Sequence, residues 1–150
     1  MNTGAGPAPD LETRLRRAED LLEIHQLFID YGRHLDVGDF AAYAALFAAD
    51  GELLLGPLGR ARGPAAIEAL MTRVQGGAVG ATFHLITSPT VVLDGDTATA
   101  EVMWTVVARA EDGRPAVTML GRHRDRLVRE TGRWRFARRE GHIDIPVRLS

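Results

Sequence analysis

Among the proton-moving side chains of this 150-residue chain, His84, Asp36 and Tyr31 are the leading candidates for chemistry. His84 lies in Thr82-Phe83-His84-Leu85-Ile86-Thr87, an otherwise apolar stretch. Burial there disfavours a charged imidazole unless a carboxylate stabilises it. With such a partner the ring becomes a general base near neutral pH. Asp36 is a candidate partner that would fix the tautomer and stabilise the imidazolium. Tyr31 can give its phenol proton to a developing oxyanion. Each also has a plainer reading: a core histidine bonded to a backbone carbonyl, a turn aspartate, and a phenol packed in an apolar stripe. Tyr31 and Asp36 stand about 140° apart around a helix, so the helix has to end or bend between them if both are to face one pocket.

Other residues are candidates for holding a substrate. Tyr43 is a second phenol, Trp104 a wall residue, and either Arg138 or Arg139 must point inward if their strand alternates. Arg139 is taken as the substrate-facing one, in reach of a carboxylate or carbonyl. His123 and Asp125 share a strand face and, with His84, have the composition of a two-His, one-carboxylate metal site. The neighbouring Arg122, Arg124 and Arg126 make that strand read as solvated and disfavour a cation, so no metal is expected. His25 and His34 read as exposed helix residues.

Composition narrows the chemistry further. There is no cysteine, so disulfides, thiolate nucleophiles and Cys-ligated metals are excluded. All 18 basic residues are arginine, which excludes a Schiff-base lysine and a phosphate-loop lysine. No Gly-rich nucleotide fingerprint and no Gly-x-Ser-x-Gly occurs. A formal net charge of −2 and a pI near 6.2 argue against nucleic-acid or anionic-membrane partners. Residues 1–10, rich in Gly, Ala and Pro, read as a disordered tail without signal-peptide character, and no apolar run is long enough for a membrane span. A cytoplasmic protein with one domain over residues 11–150 is the expectation.

The elements that must position these residues follow from periodicity. Leu21, Ile24, Phe28, Tyr31 and Leu35 step by three and four, drawing one stripe on a helix that starts near Leu11. Gly38 is placed to cap its C-terminus and Asp39 to cap a second helix over 40–48, with Phe40, Tyr43, Leu46 and Phe47 inward. A short strand is expected over 52–55, and a third helix from Pro64 to about Val74. After a Gly-rich loop the period becomes two. Strands are predicted over 82–93, 97–110, 116–130 and 133–143, joined by turns at Asp94-Gly95-Asp96, Glu111-Asp112-Gly113-Arg114 and Thr131-Gly132. Helices first and an antiparallel meander after give an α+β class. Curvature of such long strands would enclose a pocket against the helices.

Several segments together resemble the SnoaL-like branch of the nuclear-transport-factor-2-like superfamily. They are Tyr31-Gly32-Arg33-His34-Leu35-Asp36-Val37-Gly38-Asp39-Phe40, Tyr43-Ala44-Ala45-Leu46-Phe47 with Asp50-Gly51, Thr82-Phe83-His84, Gly121-Arg122-His123-Arg124-Asp125, and Gly132-Arg133-Trp134-Arg135-Phe136. The resemblance implies a cone-shaped, curved mixed β-sheet packed on three N-terminal helices, an α+β barrel around a deep pocket. Within the superfamily the pattern is most similar to scytalone dehydratase and bile-acid 7α-dehydratase, and Tyr31, Asp36 and His84 fall on the Tyr, Asp and His of the latter. A further acidic or His residue of those lyases, on the next long strand, is replaced here by the apolar Thr105-Val106-Val107-Ala108. The implied activity is a cofactor-independent lyase or isomerase acting on an apolar, ring-containing hydroxy-ketone or polyketide-like molecule. A polyketide cyclase and a non-catalytic subunit, like the small subunit of ring-hydroxylating dioxygenases, are the alternatives. A homo-oligomer, trimer or dimer, is also implied.

Overall fold

The computed structural model describes residues 8–145. Helix α1 spans Leu11–Val37. Asp10, assigned to the tail by sequence, caps it, its carboxylate accepting from the Thr13 N–H at 2.8 Å. Gly38 closes the other end at φ 76°, a left-handed conformation that glycine adopts without strain. Asp39 caps α2 through the Ala42 N–H at 3.0 Å. Helix α2 covers only Phe40–Ala44, shorter than expected. Phe47, expected on its inner face, instead opens strand β1 (Phe47–Leu54), where it pairs in parallel with Phe136. Tertiary pairing overrides the helical period there.

Strand β2 (Arg60–Arg62) is short and polar, and no periodicity in the sequence marks it. It pairs antiparallel with β1, helped by Arg62 lying 3.4 Å from Asp50 and 3.8 Å from Glu52. Helix α3 (Pro64–Gln75) buries Ile67, Leu70 and Met71. Four long strands follow: β3 (Thr82–Asp94), β4 (Thr97–Arg109), β5 (Pro115–Glu130) and β6 (Arg133–Ile145). The β5–β6 turn, Thr131-Gly132, has both φ values positive (51° and 78°), the type I′ signature that matches strand twist.

The sheet order is β2-β1-β6-β5-β4-β3, antiparallel except for β1 against β6. It is therefore mixed, and it is curved but open, with β2 and β3 as free edges instead of a closed barrel. Register shifts supply the bend: at Thr87/Thr90, where Ser88 sits at φ 52°, and along β5 at both of its neighbours. The core joins Ile24, Leu27, Phe28, Tyr31 and Leu35 of α1 to Tyr43, Phe47, Leu53, Leu127, Trp134 and Phe136. The fold is the expected α+β class. Among the described residues no helix is long and apolar enough to cross a membrane.

Candidate active site

Helix α1 does not end or bend between Tyr31 and Asp36; the strand comes to the helix instead. Gly32 is the reason. A Cβ on Gly32 would lie 3.2 Å from the His84 carbonyl oxygen and from Ile86 Cγ1, so only a bare backbone lets α1 seat this closely on β3. Asp36 is one turn further along the same helix face. It meets the free edge of β3, and its carboxylate accepts the backbone N–H of His84 at 3.0 and 3.2 Å. An edge donor that would otherwise lack a partner is thereby satisfied.

The same carboxylate contacts the imidazole. Nδ1 of His84 lies 2.7 Å from Oδ1 of Asp36, the length of a charge-assisted hydrogen bond. With the proton on Nδ1 held by the carboxylate, Nε2 carries the free lone pair. The side chains are only 10% and 15% exposed, so the pair is shielded from competing water.

His84 forms part of the wall of a half-open pocket of about 90 Å³ between the helices and the concave sheet face. The remaining wall is mostly apolar, with Leu35, Leu55, Met71, Val106, Met119 and Ile143 among its members, and Tyr31, Gln75, Trp104 and His123 are its polar or aromatic members. Ligand sites commonly combine such apolar walls with a few convergent polar groups. A larger hollow of about 540 Å³ opens on the outer sheet face. Its charges mostly satisfy one another, Arg124 with Glu101 at 3.3 Å and Arg138 with Glu140 at 3.3 Å, so it reads as a solvated ion-pair surface.

Of the candidates from sequence, the structure brings His84, Asp36, Tyr31 and Trp104 together; Asp36 stands behind the imidazole, and the other three line the pocket. Tyr43 and Arg139 do not reach it. Tyr43 is completely buried, with its ring centroid 4.7 Å from that of Tyr31, in the layer behind the pocket wall. Arg139 does face inward, but the carboxylate it contacts is internal. Its Nε and Nη2 donate to Asp125 Oδ1 and Oδ2, both at 2.7 Å. Its guanidinium lies 4.1 Å from the ring centres of Tyr31 and Phe136. The buried ion pair thus backs Tyr31 from the core side. Burial raises the Tyr31 pKa and the Arg139 charge pulls it down; burial prevails, and the phenol keeps its proton.

His123 and Asp125, read from sequence as solvated, are 6% and 4% exposed. The arginines at 122, 124 and 126 take the outer face, so the intervening residues turn inward. Burial, with the nearby charges of Arg139, His84 and His142, pushes the His123 pKa well below its usual value. That imidazole stays neutral at physiological pH. Among the described residues no three His, Asp or Glu side chains converge as a metal-binding group.

The model of the SnoaL-like domain matches residues 16–140. The chain belongs to the SnoaL-like family. Among solved structures, this SnoaL-like protein is similar to an NTF2-like protein with a cystatin-like fold from Novosphingobium aromaticivorans (31% identity, 97% of this chain and 95% of that one, TM-score 0.86). It is also similar to Aln2 from a Streptomyces species (28% identity, 92% and 95% covered, TM-score 0.72). LinA shares the fold at 18% identity (88% and 90% covered, TM-score 0.79). No curated protein matches the sequence.

Proposed function

We propose that this SnoaL-like protein is a cofactor-independent lyase or isomerase whose base is His84, oriented by Asp36, and whose substrate is an apolar, ring-containing hydroxy-ketone. The observation that carries the reading is the 2.7 Å contact between Nδ1 of His84 and Asp36, on a ring that lines an apolar pocket. Nε2 takes the proton from the carbon beside the carbonyl. The C–H electron pair becomes the enolate, and its oxygen is stabilised by the Tyr31 phenol. As the enolate collapses, the new C=C bond forms and the C–O bond to the β-hydroxyl breaks. The departing oxygen takes the proton back from His84 and leaves as water. Asp36 stabilises the imidazolium between these two transfers. If the proton instead returns to a different carbon, the same groups isomerise. If the enolate attacks a second carbonyl of the substrate, they cyclise, as a polyketide cyclase would.

The fold hosts elimination chemistry elsewhere: a hexachlorocyclohexane dehydrochlorinase shares it at 18% identity. The room beside His84 argues against a purely structural subunit, in which that ring would be packed over. The test is a panel of cyclic β-hydroxy-ketones, with enone formation followed by ultraviolet absorbance. Turnover by the wild type that falls at least about 100-fold in both D36N and H84A supports the assignment. Equal turnover in all three proteins rejects it.

A further inference from the structure

His123 has no role in the mechanism above, yet it lines the same pocket as His84. Its surroundings are specific. The ring stands edge-on to Tyr31, with centroids 5.3 Å apart and planes at 68°, and it leans on Trp104 at 5.8 Å. Nδ1 is buried and has no hydrogen-bond partner among the described residues. The opposite edge looks towards Gly141, also in the pocket wall. A Cβ built on Gly141 would lie 3.5 Å from His123 Cδ2 and 3.6 Å from Nε2. The missing side chain at position 141 therefore leaves space against that edge of the ring.

A neutral imidazole has one N–H and one bare nitrogen. A buried N–H without a partner is rarer and costlier than a bare acceptor. The favoured tautomer places the lone pair on the enclosed Nδ1 and the proton on Nε2, next to the Gly141 gap. We propose that His123 is a substrate-contacting residue whose Nε2–H, together with the Tyr31 phenol, binds the carbonyl oxygen of the substrate. This rests on the proposed lyase or isomerase reading and adds a second donor to it.

The pairing divides the labour between two imidazoles. His84 has a carboxylate to stabilise its charged form and can accept a proton. His123 has no carboxylate bonded to it: Asp125, two residues along the same face, is taken up by Arg139. Burial and the adjacent Arg139, His84 and His142 charges keep it uncharged, so it can donate a hydrogen bond without competing for the transferred proton. A neutral imidazole used as an electrophile beside a separate base is the arrangement known in triosephosphate isomerase. The two donors are neutral, and the nearest cation, Arg139, is neutralised internally. Such a hole suits a ketone, whose negative charge appears only during reaction, better than a carboxylate that carries charge from the start.

The experiment uses 1-tetralone, a bicyclic ketone with no ionisable group, and reads the infrared carbonyl stretch of the bound molecule. A hydrogen-bonded carbonyl absorbs at lower frequency than the same ketone in cyclohexane. The expected result is a lowered band in the wild type and in H84Q, and a band moved back towards the cyclohexane position in H123F. In G141A the added methyl makes only ordinary van der Waals contact but covers the Nε2 edge, so affinity should fall about tenfold, the worth of one hydrogen bond. Nitrogen-15 spectra of the unmodified protein should show His123 as the Nε2–H tautomer across pH 5 to 8. The proposal is overturned by a band that neither H123F nor G141A moves, by an Nδ1–H or titrating His123, or by no binding of the ketone at millimolar concentration. A lowered band together with undiminished turnover in D36N and H84A would sink the base assignment alone and leave His123 standing.

Discussion

Removing the carboxylate of Asp125 should destabilise the protein far more than removing any surface charge. Arg139 and Asp125 are each without solvent exposure in their side chains, bonded bidentately at 2.7 Å, and enclosed by Phe28, Tyr31 and Phe136. In Asp125→Leu the guanidinium is left in the core without a counter-charge. Breaking a buried pair from one side costs about 3–5 kcal/mol. For a protein of this size each kcal/mol lowers the melting temperature by about 2–4 °C, so a fall of roughly 6–20 °C is expected. The double variant D125L/R139M removes both charges while keeping an apolar side chain at each position, and should recover more than half of the loss. Urea titration and thermal unfolding followed by circular dichroism read both quantities. A loss below about 1 kcal/mol for D125L, the range of exposed pairs, would refute the view of this pair as the buried backing of Tyr31.

Gly121→Ala should abolish the native fold, because its Cβ would stand 2.0 Å from the backbone oxygen of His142 and 2.3 Å from Trp104 Cζ2; soluble yield and near-ultraviolet dichroism are the checks. Gly32→Ala gains about 1 kcal/mol of helix propensity but presses on the His84 carbonyl. Stability should change little while the hydrogen-bonded Nδ1 proton of His84 moves upfield in its proton spectrum. Burial pushes the Asp20 pKa up, but hydrogen bonds from Arg129 and Trp134 and the Arg129 charge outweigh this and hold it below the usual carboxylate range. A depressed folded pKa adds stability above the unfolded value, about 3.9, and that stability is lost as pH falls through the folded value. Between pH 5 and 2, D20N should therefore lose less stability than the wild type in urea titrations.

Much of the architecture was legible because local and global signals agree. The 3–4 stripe of α1, the caps Gly38 and Asp39, and the three hairpin turns each fixed an element. What periodicity alone could not give was pairing. Phe47 suits a helix face equally well, and only its parallel register with Phe136 makes it a strand residue. The three residues of β2 carry no pattern, being held by β1 and ion pairs. In the site, the His84–Asp36 pair was accessible from residue type and resemblance, whereas its geometry turns on Gly32, a helix-interior glycine whose cost signalled a close approach. At His123 and Asp125 the charges on either side dominate the pattern and suggest a solvated strand. Yet Arg122, Arg124 and Arg126 alternate, which assigns 121, 123, 125 and 127 to the opposite face, and the apolar Leu127 marks that face as inward. The residue types of Tyr43 and Arg139 suit ligands and point to the pocket, but the depth of the layer behind Tyr31 is not written in spacing.

The most direct test of the account is exchange of the α-protons of 1-tetralone for deuterium in heavy water, followed by proton NMR with wild-type, H84Q and D36N proteins. The step observed is proton removal itself, and no knowledge of the natural substrate is needed. Exchange accelerated by the wild type and reduced to the uncatalysed rate in H84Q, with D36N at least about 100-fold slower than wild type, is the predicted result. Exchange that proceeds as fast in H84Q as in the wild type would contradict it.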